Sequence, residues 1–290
     1  MLLLILALFY SANGQVDGLY LKFTTPEKSS LILGTSKAAQ GLRPSIINNV
    51  LGRDDLYNYA FTLAHSSFGP AYLESINKKL DKSTKNGIFI ITVDPYSVSG
   101  ERGNANDINS FKENEYAVGK IKNVNSFPNF EYLLFHYQPQ YFYLLAPNIK
   151  SAGEGLEHDD GWVQTGLPTD DKSVKRRTMK NVLQYKKQVD TREFSEVRFN
   201  YLIKTIELLN RHGQVYIVRL PILKPLLKLE NSVVPNFDSK IQDLCDKYDL
   251  NYLNLTSGPD IYSYLDGNHL DENSSSVVSK QIANWIKTLN

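Results

Sequence analysis

The sequence predicts an α/β fold: a doubly wound, flavodoxin-like sandwich of three layers (α/β/α) around a five-stranded parallel sheet, with a large insertion after the third strand. Three observations carry this prediction. Continuous apolar runs bounded by turn residues recur along the chain, helical patterns separate them, and one long stretch interrupts the alternation. Apolar runs without a polar face are typical of strands that helices cover on both sides, so the alternation favours a parallel sheet.

The five predicted strands are short runs rich in Ile, Val and Tyr. They are SLILG (30–34), YNYAFTL (57–63), GIFIITVD (87–94), QVYIVRLP (214–221) and LNYLNL (250–255). Helical patterns lie at 43–50, 70–80, 193–212, 237–248 and 273–288. Asn or Asp before such a pattern and Gly after it are start and stop signals, because they supply the capping bonds and backbone angles that helix ends need.

The stretch at about 100–190 lacks a strand–helix pattern and follows the carboxyl end of the third strand. Ligands of open sheets bind in the crevice at that edge, so we interpret the stretch as a lid or a substrate-shaping insertion, although its aromatic residues are equally consistent with a satellite core. Trp162, Tyr141 or Tyr143 is expected within reach of a bound sugar, whose ring suits a flat aromatic face. The basic run at 175–177 is interpreted as a solvated helix face.

The charge balance and the cysteine count exclude several classes of function. The 290-residue chain has 32 Lys and Arg against 31 Asp and Glu, a formal net charge of +1, so no long-range field attracts it to nucleic acid or an anionic membrane. Its one cysteine, Cys245, permits neither an intrachain disulfide nor a cysteine metal cluster. The EHDD run at 157–160 lacks zinc-site spacing and no glycine-rich phosphate loop occurs, so we expect no cofactor.

The N-terminal segment 1–14 begins with the apolar run MLLLILALFY. This run is too short to span a bilayer but suits the hydrophobic region of a signal peptide, with Ala12 and Gly14 as the small residues before a cleavage site at Gln15. No Lys or Arg precedes the run, which leaves a membrane anchor or a buried strand as alternatives. We therefore expect a secreted or cell-envelope protein whose single domain covers 15–290.

A serine stands where the first strand ends, in LILGTSKAAQGL (31–42). Ser36 is either a helix cap, since its oxygen suits a free amide of the first turn, or a nucleophile, which needs a base within hydrogen-bond reach and a third group to orient that base. Of the five histidines, His269 has the most suitable surroundings. It follows Asp266 by three residues in a loop, so the carboxylate can fold back onto the imidazole and leave the other ring nitrogen to face Ser36.

The motifs LILGTS and DGNH, near the two ends of the chain, resemble the first and last blocks of the SGNH (GDSL-like) hydrolase superfamily, in the branch that handles acyl groups on envelope polysaccharides. A Thr stands in place of the Asp of Gly-Asp-Ser. The resemblance implies that Ser36 is the nucleophile, His269 the general base and Asp266 its orienting carboxylate. It covers about 28–98 and 214–289 but not the insertion.

Two positions that this family uses for oxyanion-stabilising donors are altered. His65, Ser66 and Ser67 occupy the expected place of a glycine after the second strand, and Asp94 occupies that of an asparagine after the third. An ionised aspartate is a poor donor, so the charged oxygen would need the nucleophile's own amide, a group from Ser66 or Ser67, or a cation. Arg219, at the end of the fourth strand, is the cation we expect, with Asp94 as its salt-bridge partner.

These residues predict a serine esterase for an acyl or acetyl group on a carbohydrate or another small ester, or an O-acyltransferase that passes this group to a sugar hydroxyl. The altered donor positions also fit a degenerate domain that binds a glycan without turnover. A third possibility is a flavodoxin-like structural domain in which Ser36 only caps a helix. A distance between Ser36 and His269 beyond hydrogen-bond reach would favour this third possibility.

Overall fold

A computed structural model describes residues 2–14, 17–61, 66–137, 144, 155–258 and 261–289. The central sheet is parallel and consists of β1 (Ser30–Leu33), β2 (Leu56–Asn58), β3 (Gly87–Thr92), β8 (Gly213–Arg219) and β9 (Asn251–Asn254). The order across the sheet is β2-β1-β3-β8-β9, so the chain winds outwards in both directions from β1. This order confirms the predicted flavodoxin-like, doubly wound fold.

The helices and the remaining strands surround this sheet. The helices are α1 (Leu2–Tyr10), α2 (Ser36–Gly41), α3 (Pro44–Leu51), α4 (Pro70–Lys79), α5 (Ala117–Lys120), α6 (Phe130–Phe135), α7 (Asp171–Thr191), α8 (Glu196–Leu209), α9 (Lys224–Val233), α10 (Phe237–Tyr248) and α11 (Glu272–Leu289). Two antiparallel pairs join β4 (Ser99–Glu101) to β7 (Arg192–Phe194) and β5 (Leu156–Glu157) to β6 (Val163–Gln164). The predicted helices at 43–50, 70–80, 237–248 and 273–288 match α3, α4, α10 and α11 to within one residue.

Two hydrophobic layers cover the sheet, because alternate residues of a strand point to opposite faces. On one face, Ile32, Ile90 and Val218 belong to a buried cluster with side chains of α2, α3 and α11. On the other face, Phe89 and Ile217 belong to a cluster with side chains of α4, α8 and α10. The protein is therefore the three-layer sandwich that the sequence predicts.

The insertion runs from β4 to β7 and contains α5, α6, the β5–β6 pair and α7. The helix predicted at 193–212 begins only at Glu196, because 192–194 pair with β4 instead and the Ser195 hydroxyl then caps α8. Helix α7 has 21 residues and one buried side chain, Tyr185, so no apolar stripe marked it in the sequence. Tyr185 and α9 together form a small hydrophobic cluster beside the sheet.

The N-terminal segment forms the helix α1. Phe9 and Ala12 are 3% and 1% exposed and belong to the same cluster as Phe89 of β3, and the Phe9 ring lies 5.9 Å from the ring of Phe130. The alternative of a buried strand is therefore wrong, since the segment is a helix that packs on the domain. None of the described helices is long and apolar enough to cross a bilayer.

Candidate active site

The turn after β1 places Ser36 at the carboxyl edge of the sheet, as the first residue of α2. Gly34 makes this turn possible: it has φ of +150°, and a Cβ atom there would lie 1.9 Å from Oγ1 of Thr92 on the neighbouring strand β3. Thr35, at the N-cap position, makes no side-chain capping bond. Ser36 lies one residue past the N-cap position, so the helix-cap interpretation of its hydroxyl is wrong.

Ser36, His269 and Asp266 form one continuous chain of hydrogen bonds. Nε2 of His269 lies 2.8 Å from Oγ of Ser36, and Nδ1 lies 2.9 Å from Oδ2 of Asp266. The structure therefore brings together the three residues that the sequence analysis grouped, with the histidine in the middle. This is the arrangement in which an imidazole can take a proton from a serine while a carboxylate holds its tautomer.

The Asp266 carboxylate is fully occupied by donors from its own loop. Oδ1 accepts from the backbone amides of Asn268 at 2.9 Å and of His269 at 2.8 Å, while Oδ2 faces the imidazole. Burial opposes ionisation of this carboxyl, but the hydrogen bonds from His269 and the two amides outweigh it and lower the pKa of Asp266 well below its usual range. Asp266 is therefore an anion near neutral pH, and the nitrogen facing it carries a proton.

The residue between Asp266 and Asn268 is Gly267, whose φ is +81°. A left-handed residue at this point turns the chain sharply enough for Asp266 to reach the amides that follow it. The Gly267 carbonyl also accepts from the amide of Leu223, just before α9. The DGNH sequence thus encodes the turn that closes the carboxylate onto the imidazole.

Helix α7 of the insertion fastens this loop through three side chains. Nε of Arg177 donates to the Leu265 carbonyl at 2.9 Å, Nδ2 of Asn181 to the Asp266 carbonyl at 3.2 Å, and the Tyr185 hydroxyl to Oδ1 of Asn268 at 2.7 Å. The three donors are spaced by four residues and so lie on one face of the helix. Of the basic run at 175–177, Lys175 and Arg176 are exposed, as predicted, whereas Arg177 holds the loop.

A cavity of about 220 Å³ opens above Ser36 and His269. Every lining residue carries a polar group, and the residues come from the turn after β1, the turn after β3, α7, the start of β7 and the DGNH loop: Thr35, Ser36, Lys37, Asp94, Tyr96, Asn181, Gln184, Tyr185, Gln188, Arg192, Asp266, Asn268 and His269. The insertion therefore covers the candidate site, as predicted, but it does so with α7.

The predicted ion pair between Asp94 and Arg219 is wrong. Oδ2 of Asp94 lies 3.1 Å from Nζ of Lys37, and that ammonium also pairs with Glu230 of α9. Burial would lower the pKa of Lys37, but the two carboxylates outweigh it and raise the pKa. The physical reason for the error is proximity, because Lys37 adjoins Ser36 and reaches the carboxyl edge before Arg219 does.

Arg219 faces away from the cavity and stabilises the packing of α9 and α10. Its guanidinium is 1% exposed and donates to Asp238 at 2.7 Å and to Asn231 at 2.6 Å, with Glu230 at 3.6 Å. Arg219 is not among the described residues that line the cavity. The expectation that Arg219 is the cation of an oxyanion site is therefore wrong, since Asp238 and Asn231 hold its guanidinium inside the protein.

Ser66 and Ser67 are buried beside the site and neither is among the described residues that line the cavity. The Ser66 hydroxyl donates to the carbonyl of Ser97, in the turn that follows Asp94. Its hydroxyl is thus committed to holding two loops together, and the structure does not support it as an oxyanion donor. His65, Tyr141 and Tyr143 lie outside the described residues.

The prediction that Trp162 reaches a bound sugar is wrong. Trp162 is 4% exposed: the guanidinium of Arg43 lies 4.2 Å from its ring centre, His158 stacks on it at 4.6 Å, and its indole N–H donates to the carbonyl of Gln40. The ring therefore closes the outer side of α2, and its full coverage leaves no face for a ligand.

The EHDD run stabilises loops. Glu157 accepts from the amide of Leu21 at 2.9 Å and lies 3.5 Å from Nζ of Lys22. Asp160 accepts from the amides of Ser45 at 3.1 Å and of Trp162 at 3.0 Å. Within the part of the chain that the structure describes, no group of three or more His, Cys, Asp or Glu side chains is placed to hold a metal ion.

Several residues of the cavity wall were not among the residues predicted from the sequence. Lys37 directly follows the serine and Asn268 stands inside the DGNH motif, so both were visible by position. Asn181 and Gln184 are polar, and Tyr185 is the one buried side chain of α7, so no apolar stripe marks this helix in the sequence. The four-residue spacing of Arg177, Asn181 and Tyr185 was the one available signal, and it acquires meaning only beside the loop they hold.

The similarity to known proteins is too loose to support an argument about the fold or the function. No family model matches the chain, and no curated protein matches its sequence. A solved structure of an active-site mutant of a family two carbohydrate esterase from Clostridium thermocellum, in complex with a ligand named celluohexase, is similar with a TM-score of 0.34 and 11% identity. The similarity covers 94% of this chain and 61% of that one. A likeness this loose transfers no activity or substrate.

Proposed function

We propose that the protein is a serine hydrolase of ester bonds, with Ser36 as the nucleophile, His269 as the general base and Asp266 as the carboxylate that orients it. The observation that supports this most directly is the unbroken chain of hydrogen bonds from Asp266 through His269 to Ser36. The chain ends on a hydroxyl that faces a cavity, where a substrate carbonyl can reach it. A structural serine at a helix start has no need of such a partner.

The reaction follows from the geometry. Oγ of Ser36 attacks the ester carbonyl while its proton moves to Nε2 of His269, and the carbonyl electron pair moves onto the oxygen. The tetrahedral intermediate then expels the alcohol, which takes the proton from Nε2, and leaves an acyl group on Ser36. Water next gives a proton to Nε2 and attacks the acyl carbon, and Ser36 recovers its proton as the acid departs. Asp266 stabilises the imidazolium in both halves.

We infer that the charged carbonyl oxygen is held at the start of α2. The amides of Ser36 and Lys37, the first two residues of α2, have no acceptor within the helix, whereas those of Ala38 and Ala39 donate to the Thr35 carbonyl. Lys37 also lines the cavity and carries a positive charge that Asp94 and Glu230 hold in place. These donors would take the place of the glycine and asparagine that the sequence lacks.

The proposed substrate is an acylated carbohydrate or another small ester. Gln184, Gln188 and Tyr96 line the cavity, and the glutamine amide groups suit the hydroxyls of a sugar. An acyltransferase would use the same acyl-enzyme and admit a sugar hydroxyl in place of water. Secretion or attachment to the cell envelope through segment 1–14 is part of this proposal.

A second candidate function is a glycan-binding domain without turnover. The observation that favours it is Asp94, an acceptor paired with Lys37 where an asparagine donor was expected. In that case the cavity would bind a sugar, while the Ser36 hydroxyl would not form a covalent bond. The two functions differ in whether Oγ of Ser36 attacks the substrate carbonyl.

Labelling with a fluorophosphonate probe tests this reactivity. We expect one modified peptide, containing Ser36, in the wild-type protein and none in Ser36→Ala. Ser276→Ala is the matched control, because Ser276 is a half-buried serine of α11 outside the cavity lining, whose hydroxyl donates to the carbonyl of Glu272 and accepts from Arg43; it should label like the wild type. A folded wild-type protein that is not labelled at Ser36 would support the binding domain, and an acetylated sugar formed from an acetyl ester would identify a transferase.

A further inference from the structure

The side chain of Asn268 lies against the reactive nitrogen of the triad. Its Nδ2 is 3.4 Å from Nε2 of His269, the same nitrogen that lies 2.8 Å from Oγ of Ser36. At the other end of the amide, Oδ1 accepts from the Tyr185 hydroxyl at 2.7 Å. The amide is thus fixed with its carbonyl towards α7 and its NH2 group towards the imidazole.

Tyr185 can keep the amide in this orientation over a wide pH range. Burial raises the pKa of its phenol well above the usual value, with the charges of Glu230 and Asp94 acting in the same direction. The hydroxyl therefore keeps its proton and donates it to Oδ1. Gly267 and the Asp266 carboxylate hold the backbone of Asn268. Rotation of its side-chain amide would therefore break the hydrogen bond from Tyr185.

Two donors compete for one lone pair in the resting site. Since Nδ1 of His269 carries the proton that faces Asp266, Nε2 is an acceptor with a single lone pair. The Ser36 hydroxyl occupies it at 2.8 Å, which leaves the Asn268 N–H with a contact of 3.4 Å, longer than a normal hydrogen bond. Asn268 therefore presents an underused donor at the place where an oxygen must come close to Nε2.

That oxygen belongs to the alcohol side of the ester. The leaving alcohol must accept a proton from Nε2, and the water or sugar hydroxyl that resolves the acyl-enzyme must give a proton to the same nitrogen. In the acyl-enzyme the Ser36 oxygen has no proton, so the incoming water takes its place as donor to Nε2. The oxygen of this water then lies beside both the imidazole and the Asn268 amide.

We propose that Asn268 is a catalytic residue that donates a hydrogen bond from Nδ2 to the oxygen of the second nucleophile, and that Tyr185 is a positioning residue that aims it. This inference rests on the proposed function. Water attacks the acyl carbon with one proton passing to Nε2, the bond between that carbon and Oγ breaks, and Oγ takes the proton back. Asn268 keeps its own protons throughout and fixes the direction of attack.

The test separates acylation from deacylation with p-nitrophenyl acetate. Release of nitrophenolate needs little help to the leaving group, so we expect Asn268→Ala to keep the first, burst phase within about threefold of the wild type. Its steady-state rate, which reports deacylation, should fall roughly 10- to 100-fold. Asn268→Asp keeps the size of the side chain and an acceptor for Tyr185 but lacks the N–H, and should show the same loss.

A double-mutant cycle tests the role of Tyr185. Tyr185→Phe should slow deacylation less than Asn268→Ala does, and should add less than about twofold in the Asn268→Ala background, because its effect passes through that amide. Tyr262→Phe is the matched control, since it removes another tyrosine–amide bond of 2.7 Å, to Gln281, at a position outside the cavity lining. It should leave both phases unchanged.

The outcomes distinguish this inference from the proposed function. If wild-type protein is not labelled at Ser36 and releases no nitrophenolate, the hydrolase proposal fails and this inference fails with it. If Ser36 is required but folded Asn268→Ala and Asn268→Asp keep the wild-type steady-state rate, only the role of Asn268 is overturned. Equal losses in both phases, or a full Tyr185→Phe effect in the Asn268→Ala background, would mean that the two residues merely hold the loop.

Discussion

Two turns of the molecule share the same local geometry and do different things. The first contains Asp160 and Gly161, the second Asp266 and Gly267, and the two glycines have φ of +83° and +81°. In each turn an oxygen of the aspartate accepts from the amide two residues further on, at 3.0 Å in the first and 2.9 Å in the second. A histidine is close to the aspartate in both, before it in the first and after it in the second.

The difference lies in what occupies the second oxygen of each aspartate. In the first turn the amide of Ser45 donates to it, and the neighbouring His158 stacks on Trp162 and contacts Gln164. In the second turn the imidazole of His269 donates to it. The comparison teaches that an Asp-Gly turn supplies only the bend. A histidine placed after the bend, at the carboxyl edge of the sheet, turns it into part of a triad.

Removing each histidine should separate the two turns most sharply. His269→Ala deletes the proposed base, so turnover of an acetyl ester should fall roughly ten-thousandfold or more, with little change in melting temperature. His158→Ala deletes a ring that packs on Trp162 and contacts Gln164, outside the cavity lining, so it should lower stability by about 1 kcal/mol and leave turnover within about twofold. Turnover that survives His269→Ala, or collapses in a folded His158→Ala, would abolish the distinction.

The two glycines give a smaller contrast, in stability. Alanine at either position must adopt a left-handed conformation, which costs about 1–2 kcal/mol. At Gly161 its Cβ would also lie 2.3 Å from the backbone oxygen of Asn58 on β2, whereas at Gly267 the nearest atoms are side-chain methyl carbons at 3.1 Å. We expect Gly161→Ala to be less stable than Gly267→Ala by a further 1–3 kcal/mol in denaturant unfolding. Equal losses would mean that β2 moves aside freely.

A third contrast concerns the carboxylates near each turn, whose pKa values move in opposite directions. Burial raises the pKa of Glu157, which precedes the first turn, to about 7, although Lys22 acts against it. The folded state then binds a proton that the unfolded state loses above a pKa of about 4.5, so the free energy of unfolding should fall as pH rises from about 4.5 to 7.

The variant Glu157→Gln should flatten this part of the stability curve, since its amide does not titrate, and exposed Glu207→Gln should leave the slope unchanged. Chemical denaturation at several pH values measures both. The lowered pKa of Asp266 has the opposite sign: its contribution is complete above the unfolded pKa and is lost as pH falls towards the folded one. If the free energy of unfolding of Glu157→Gln falls with pH as steeply as that of the wild type, a group other than Glu157 causes the slope.

The sequence was sufficient for the sheet and for the placement of the triad residues, for reasons visible in particular residues. Ile32, Ile90 and Ile217 lie in runs that have no polar face, and such runs fit only a sheet covered on both sides. The DGNH motif keeps Asp266 and His269 within one turn, so their contact is local. Ser36 joins them because parallel strands bring their carboxyl ends to one edge.

What the sequence could not provide are contacts between distant polar residues. That Lys37 and not Arg219 is the partner of Asp94 depends on side-chain reach, which strand order does not fix. A tryptophan such as Trp162 can bind a sugar ring, and the sequence does not show that Arg43 and His158 cover its ring in the folded protein. Helix α7 has a single buried side chain, and hydrophobic periodicity cannot detect a helix that packs through hydrogen bonds.

The attachment of α7 to the DGNH loop has a mechanical consequence. One face of this helix holds the loop through Arg177, Asn181 and Tyr185, while Gln184 and Gln188 of the same helix form a wall of the cavity. Asn181 and Tyr185 belong to both sets, since they line the cavity as well as hold the loop. A substitution that displaces this part of α7 is therefore expected to alter the shape of the cavity and the position of the His269 loop together.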